Sequence, residues 1–147
     1  KKEWYKDGKH HRADGPAVTL KDGTQEWFFE GERHRADGPA LRMRDGNLEW
    51  YFEGHRHRAD GPAIEHPDGS KEWYLKGRRH REDGPALERP SGKNRYWIRD
   101  RETTADEIEE LKRLRLEEEV RCIEKSLEGG LAQSINAMRP LRMKLQF

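Results

Sequence analysis

The sequence holds one cysteine, Cys122, in 147 residues, so no disulfide forms within the chain and no cysteine-rich zinc site can be built. Apolar residues are scarce as well. They make up 31% of the chain, well below the ~45–50% of ordinary soluble domains, which excludes a large globular core. No apolar run approaches the ~18–20 residues of a membrane span, and the Lys1-Lys2-Glu3-Trp4 start lacks a signal peptide's hydrophobic region. Net charge is nearly absent: 30 Lys+Arg almost cancel 29 Asp+Glu to leave +1, although 40% of residues are charged. Nothing therefore pulls the whole molecule toward nucleic acid or an anionic membrane, and a soluble, cytoplasmic protein is expected. Gly-rich phosphate loops, nucleophile elbows and metalloprotease helices are missing too. Cys122 lies in an amphipathic segment, a poor setting for a nucleophile. The expectation is a chain that is not an enzyme and uses no cofactor.

What the sequence has is a repeat. Glu3-Trp4-Tyr5, Glu26-Trp27-Phe28, Glu49-Trp50-Tyr51 and Glu72-Trp73-Tyr74 recur every 23 residues, as do the His-Arg pairs at 11, 34, 57 and 80. Asp-Gly-Pro-Ala follows at 14, 37, 60 and 83, so four copies fill residues 3–94 and Arg95-Tyr96-Trp97-Ile98-Arg99 opens a fifth. Within a unit, Asp-Gly at 22–23, 45–46 and 68–69 (Ser91-Gly92 in the last) separates two short runs, the strongest local hairpin signal. Strands are expected near 3–7, 16–21, 24–30, 39–44, 47–53, 62–67, 70–76, 85–90 and 93–99, about nine in all. Alternation puts Trp27 and Phe29 on one face and Phe28 on the other, and one aromatic column is expected to be core. Glycines flanking segments such as 31–38 let the chain return to start the next hairpin. A unit this small cannot bury its own apolar face, so stability becomes a sum of unit and interface terms. Nine strands at ~4.8 Å extend about 43 Å.

The Asp-Gly turn followed by an aromatic-rich strand and a Gly, every 23 residues over 3–99, resembles MORN-type repeats, especially divergent variants in bacterial and phage proteins. The resemblance implies an extended β-hairpin array used as a scaffold or binding surface, with no catalytic residues to carry over.

Composition changes at Thr103, dividing the chain into a repeat domain (1–102), an amphipathic helix (103–128) and a basic, apolar tail (129–147). Thr104-Ala105-Asp106-Glu107 fits a capping box. Ile108, Leu111, Leu114 or Leu116, Val120, Ile123 and Leu127 make an apolar stripe expected to end at Gly129-Gly130. Pro140 interrupts any later helix, and Leu141 to Phe147 alternates as an edge-adding strand would.

Recurring His and Asp invite a metal reading, yet equivalent residues in stacked units lie about 10 Å apart, too far for one ion with ~2.0–2.2 Å bonds. A packing role for the histidines is the simpler expectation. Arg12, Arg35, Arg58 and Arg81 form a ladder that either pairs internally, the preferred reading, or meets a partner's phosphates or acids. The Trp column is read as core rather than a base-stacking platform. The functional expectation is a non-catalytic protein-binding module. Its contacts would come from the Arg ladder, from Leu111 and Val120, and from Arg139, Arg142, Lys144 and Phe147 of the tail. A sharper form is a phage or bacterial inhibitor or adaptor that occludes a nucleic-acid-processing or defence complex, touching nucleic acid only through that complex. A homodimer through the helix is a further expectation. The alternative is a membrane-associated scaffold with its basic tail on anionic lipid.

Overall fold

The computed structural model describes residues 1–143, with side chains through residue 129. It is mainly β: 18 short antiparallel strands among the described residues, then one helix, α1, Ala105–Met143. The chain divides into two compact units, Lys1–Ile108 and a second beginning at Glu109.

Each 23-residue period makes two hairpins, where one was expected. The first, built from pairs such as Val18–Thr19 with Gln25–Glu26, turns through Asp22-Gly23, where the Asp22 carboxylate accepts the Thr24 N–H at 3.0 Å and Gly23 takes a φ of 96°. Successive first hairpins join into an eight-stranded meander, Glu26 opposite Leu41 and Glu49 opposite Ile64. The second hairpin forms a separate two-stranded ribbon, for example Phe28–Phe29 with Glu32–Arg33.

The division occurs at the Trp of each unit. The Trp27 N–H donates to Ala40 in the meander at 2.7 Å, while its carbonyl accepts from His34 in the ribbon at 3.2 Å. One residue thus serves two ladders, so a nominal strand over 24–30 breaks into two and the count doubles. The segment expected to be a connector, 31–38, supplies the ribbon's return strand, Glu32–Arg33. Both central residues of the ribbon turn have positive φ, 52° at Glu30 and 89° at Gly31, the geometry that matches strand twist in a two-residue turn.

The break also changes which aromatics face inward. Tyr51 and Trp97 are buried and Phe28 and Tyr74 half-buried, whereas Phe29 and Phe52 are exposed and Trp4, Trp27, Trp50 and Trp73 are half-buried. The rest of the core is thin. Ala17, Ala40, Ala63 and Ala86 are fully buried, each beside Val18, Leu41, Ile64 or Leu87. Ile108, in the first turn of α1, is the largest fully buried side chain of the described residues and belongs to the repeat unit.

At the start of α1 the Thr104 hydroxyl accepts the Glu107 N–H at 3.2 Å, as the capping box requires. Glu107 departs from the box by accepting from the Thr103 hydroxyl instead of reaching back to the cap. The helix passes through Gly129, Gly130 and Pro140 to Met143, where an end at Gly129-Gly130 was expected. A glycine inside a helix costs only ~1 kcal/mol against Ala, so the pair weakens the helix without terminating it, and Pro140 adds a cost of ~3 kcal/mol from a lost main-chain bond and a ring clash, which the helix tolerates. Leu141 to Met143 are therefore helical where an edge strand was expected, and residues 144–147 lie outside the described residues.

Candidate functional site

Every unit carries the same sandwich. The guanidinium carbons of Arg12, Arg35, Arg58 and Arg81 lie 4.3, 4.4, 4.2 and 3.9 Å from the ring centroids of Trp4, Trp27, Trp50 and Trp73. On the side of the Asp-Gly-Pro-Ala segment, a Cβ placed on Gly15, Gly38, Gly61 or Gly84 would stand 3.1, 3.1, 3.0 or 3.1 Å from the same carbons. That glycine is there for close approach, not for positive φ. Each Arg Nε donates to the Asp two residues on, at 2.7–3.0 Å. The Arg hydrogen bond holds the exposed Asp14, Asp37 and Asp60 carboxyls below their ordinary range. Arg58 and Arg81 add Nη1 bonds to Glu65 at 2.9 Å and Glu88 at 2.6 Å. Each guanidinium of the ladder is thus engaged within the chain, stacked on an indole and ion-paired.

Between successive sandwiches lie three equivalent open grooves of about 510, 560 and 700 Å³. Each is walled by the segments from Arg to Asp of two neighbouring units, Arg-Ala-Asp in three units and Arg81-Glu82-Asp83 in the fourth, and floored by the Trp and the two residues after it.

A second ladder escaped the reading of the sequence. Glu3–His10, Glu26–Arg33, Glu49–Arg56, Glu72–Arg79 and Arg95–Glu102 pair at 2.7–3.1 Å, always seven residues apart. In the last pair acid and base exchange places. These cations alternate with aromatics across the units: Arg33 lies 5.8 Å from the Phe28 ring and 5.5 Å from Tyr51, and Arg79 lies 5.8 Å from Tyr74 and 5.1 Å from Trp97. Burial pushes the Glu72 carboxyl up, but the His66 hydrogen bond, the Arg79 charge and the Tyr74 hydroxyl outweigh it and leave it below the ordinary range. Burial and the neighbouring glutamates raise Tyr51 and Tyr74. The signal was an acid at 3, 26, 49 and 72 in register with a base at 10, 33, 56 and 79.

The repeated histidines pack between units. His11 and His34 accept the Glu30 and Glu53 N–H groups through Nδ1 at 3.1 and 3.2 Å, and their rings lie 4.7 and 4.8 Å from Phe29 and Phe52. His57 and His80 hold the same positions with buried Nδ1 atoms that have no hydrogen-bond partner. Among the described residues no three His, Cys, Asp or Glu gather to hold a metal ion.

The remaining predicted contacts fall on α1, described by itself. Leu111 and Val120 are 39% and 47% exposed, and Leu114, Leu116, Ile123 and Leu127 are exposed to a similar or greater degree. At 100° per residue the apolar positions occupy two faces. Ile108, Leu111 and Leu114 share one, and Leu116, Val120, Ile123 and Leu127 share the other. Glu110, Glu117 and Glu124, seven apart, flank the second face. Arg139 and Arg142 fall within α1 beyond the described side chains, and Lys144 and Phe147 lie outside the described residues. Among the described residues no helix is long and apolar enough to cross a membrane.

These surfaces define a β-hairpin repeat array followed by a helix with an uncovered apolar face. Comparison with protein-family models, curated proteins and solved structures finds no match in any of the three.

Proposed function

We propose that this protein is a non-catalytic protein-binding module, a MORN-like repeat array that presents α1 to a macromolecular partner. The observation that carries this reading is the face formed by Leu116, Val120, Ile123 and Leu127, which are 62%, 47%, 60% and 63% exposed. Four large apolar side chains in line on one helix are the pattern by which an amphipathic helix docks in a partner's groove. The grooves of the array offer a second, polar contact. An inhibitor or adaptor that occludes a nucleic-acid-processing or defence complex is the narrower form of this reading, since occlusion needs binding and no chemistry.

The test is affinity capture from a bacterial lysate with the full chain and with a Val120→Asp/Ile123→Asp variant. Both positions are exposed, so the array stays folded. The expected result is a stoichiometric partner held by the full chain and lost by the variant. A partner held equally by both would move the contact to the repeats. Retention on anionic vesicles with no protein partner would replace this reading by the membrane scaffold.

A further inference from the structure

The outer face of the ribbons carries a row of exposed charges beside apolar side chains. In an antiparallel pair, directly opposite residues share a face. Phe29 with Glu32, Phe52 with His55, Leu75 with Arg78 and Ile98 with Arg101 are such pairs, and together they form one surface. Phe29 and Phe52 are 48% and 46% exposed, and Glu32, His55, Arg78 and Arg101 are exposed. Alongside run the turn residues Asp7, Glu30, Glu53, Lys76 and Arg99, also exposed. The side chains of Lys9, Glu32 and His55 lie 3.3–3.7 Å from where a Cβ on Gly31, Gly54 and Gly77 of the following unit would stand, so the column is ordered across units.

Both columns change sign along the array. The turn column reads acid at Asp7, Glu30 and Glu53, then base at Lys76 and Arg99. The neighbouring column starts with a base at Lys9, then passes from Glu32 through His55 to Arg78 and Arg101. Glu30, Glu32, Glu53, Lys76, Arg78 and Arg99 form no ion pair among the described residues, as is also true of the exposed Arg42, Arg44 and Arg89 elsewhere in the array. Reversed about the third unit, Glu30 and Glu32 face Lys76 and Arg78, and Asp7 faces Arg99, beside an exposed apolar row.

We propose that this face is an isologous interface with a second copy of the chain, the two arrays running in opposite directions about a two-fold axis at the third unit. The axis lies along the strands, so each column meets its own counterpart with unit order reversed. Glu30 of one copy then meets Lys76 of the other, Glu32 meets Arg78, and Asp7 meets Arg99. Phe52 packs on Phe52 at the axis, and Phe29 on Leu75. The cations enter a recess of about 450 Å³ lined by Phe29, Glu30, Glu32, His34 and Glu53, with Lys9 as the one cation among its lining residues. Two like-charge meetings oppose these pairings: Glu53 against its own counterpart at the axis, and Lys9 against Arg101, the latter relieved by Glu107, 3.5 Å from Arg101. Copies running in the same direction would set acid against acid and base against base, so the pattern selects orientation as well as partner. This inference uses the ribbons and stands apart from the reading of α1.

Sedimentation equilibrium of the full chain, at low and high salt, tests it. The expected result is a dimer that weakens as salt rises. Two variants, Glu30→Lys/Glu32→Lys and Lys76→Glu/Arg78→Glu, should each weaken self-association at least about tenfold, because attraction becomes repulsion in both halves of the interface. Mixed in equal amounts they should recover a heterodimer, since every substituted contact is again between opposite charges. Both variants keep the fold, because the turn position already holds Glu30 at φ 52° and Lys76 at φ 49°. The proposal is overturned by a wild-type chain that stays monomeric at all concentrations, by a dimer indifferent to the reversals, or by a mixture that does not associate. A dimer abolished by Val120→Asp/Ile123→Asp would also overturn it, by placing the contact on α1.

Discussion

Arginine and glycine are coupled at each sandwich, because the guanidinium that covers the Trp ring occupies the space a Cβ on the glycine would need. Gly61→Ala should therefore cost about 1 kcal/mol while Arg58 is present and much less once Arg58 is truncated. Arg58→Ala alone should cost about 2 kcal/mol, from a lost cation–π contact with Trp50 and lost bonds to Asp60 and Glu65. Chemical denaturation of both single variants and the double variant checks this. Simple additivity would show that the two positions do not share space. The same residues set the acid response. Asp14, Asp37 and Asp60 titrate below their ordinary value of 3.8 because of their arginines, so their contribution is present above that value. It is lost as pH falls through the lowered folded values. A thermal midpoint followed from neutral to acid pH should hold until about pH 4 and then decline, with a shallower decline in Asp60→Asn. An equally steep decline in Asp60→Asn would assign the acid response to other groups.

At the scale of the element, the seven-residue Glu–Arg pair works in either order, as Glu72–Arg79 and Arg95–Glu102 show. Glu49→Arg and Arg56→Glu should each destabilise by about 2–3 kcal/mol, Glu49 being buried, and the double exchange should recover part of that loss. Recovery stays partial because Tyr51 donates to Glu49 at 2.8 Å and loses its acceptor. A double variant no more stable than the worse single one would deny the pairing. In α1, nothing lies within 4 Å of a Cβ on Gly129, so Gly129→Ala should raise helicity and stabilise the helix by about 0.8–1 kcal/mol, read by circular dichroism. The period, the Asp-Gly turns and the Thr104 cap were all legible, because each is local chemistry written in a short motif. The break at Trp27 was not, since it depends on its N–H and carbonyl going to two different sheets, the meander and the ribbon. The second turn was hidden for another reason: Glu30, Glu53 and Lys76 adopt positive φ without being Asn, Asp or Gly. The Arg ladder was located from the sequence, but its stacking against glycine needs the third dimension.

At the scale of the molecule, a thin core of alanines with one Val, Leu or Ile per unit leaves stability to interfaces between units. Deleting residues 50–72 joins Glu49 to Trp73 and recreates the Glu-Trp step of every unit. A shortened array should fold cooperatively with a lower thermal midpoint, and loss of a cooperative transition would contradict a modular account. On the reading proposed above, function uses the surfaces that the packing leaves exposed, the α1 face and the outer ribbon face. Hydrogen–deuterium exchange of the full chain, alone and with its captured partner, tests the central claim about α1 most directly. The account predicts slowed exchange across 113–129 with the meander unchanged; unchanged exchange in that stretch, with protection gained only in the repeats, would contradict it.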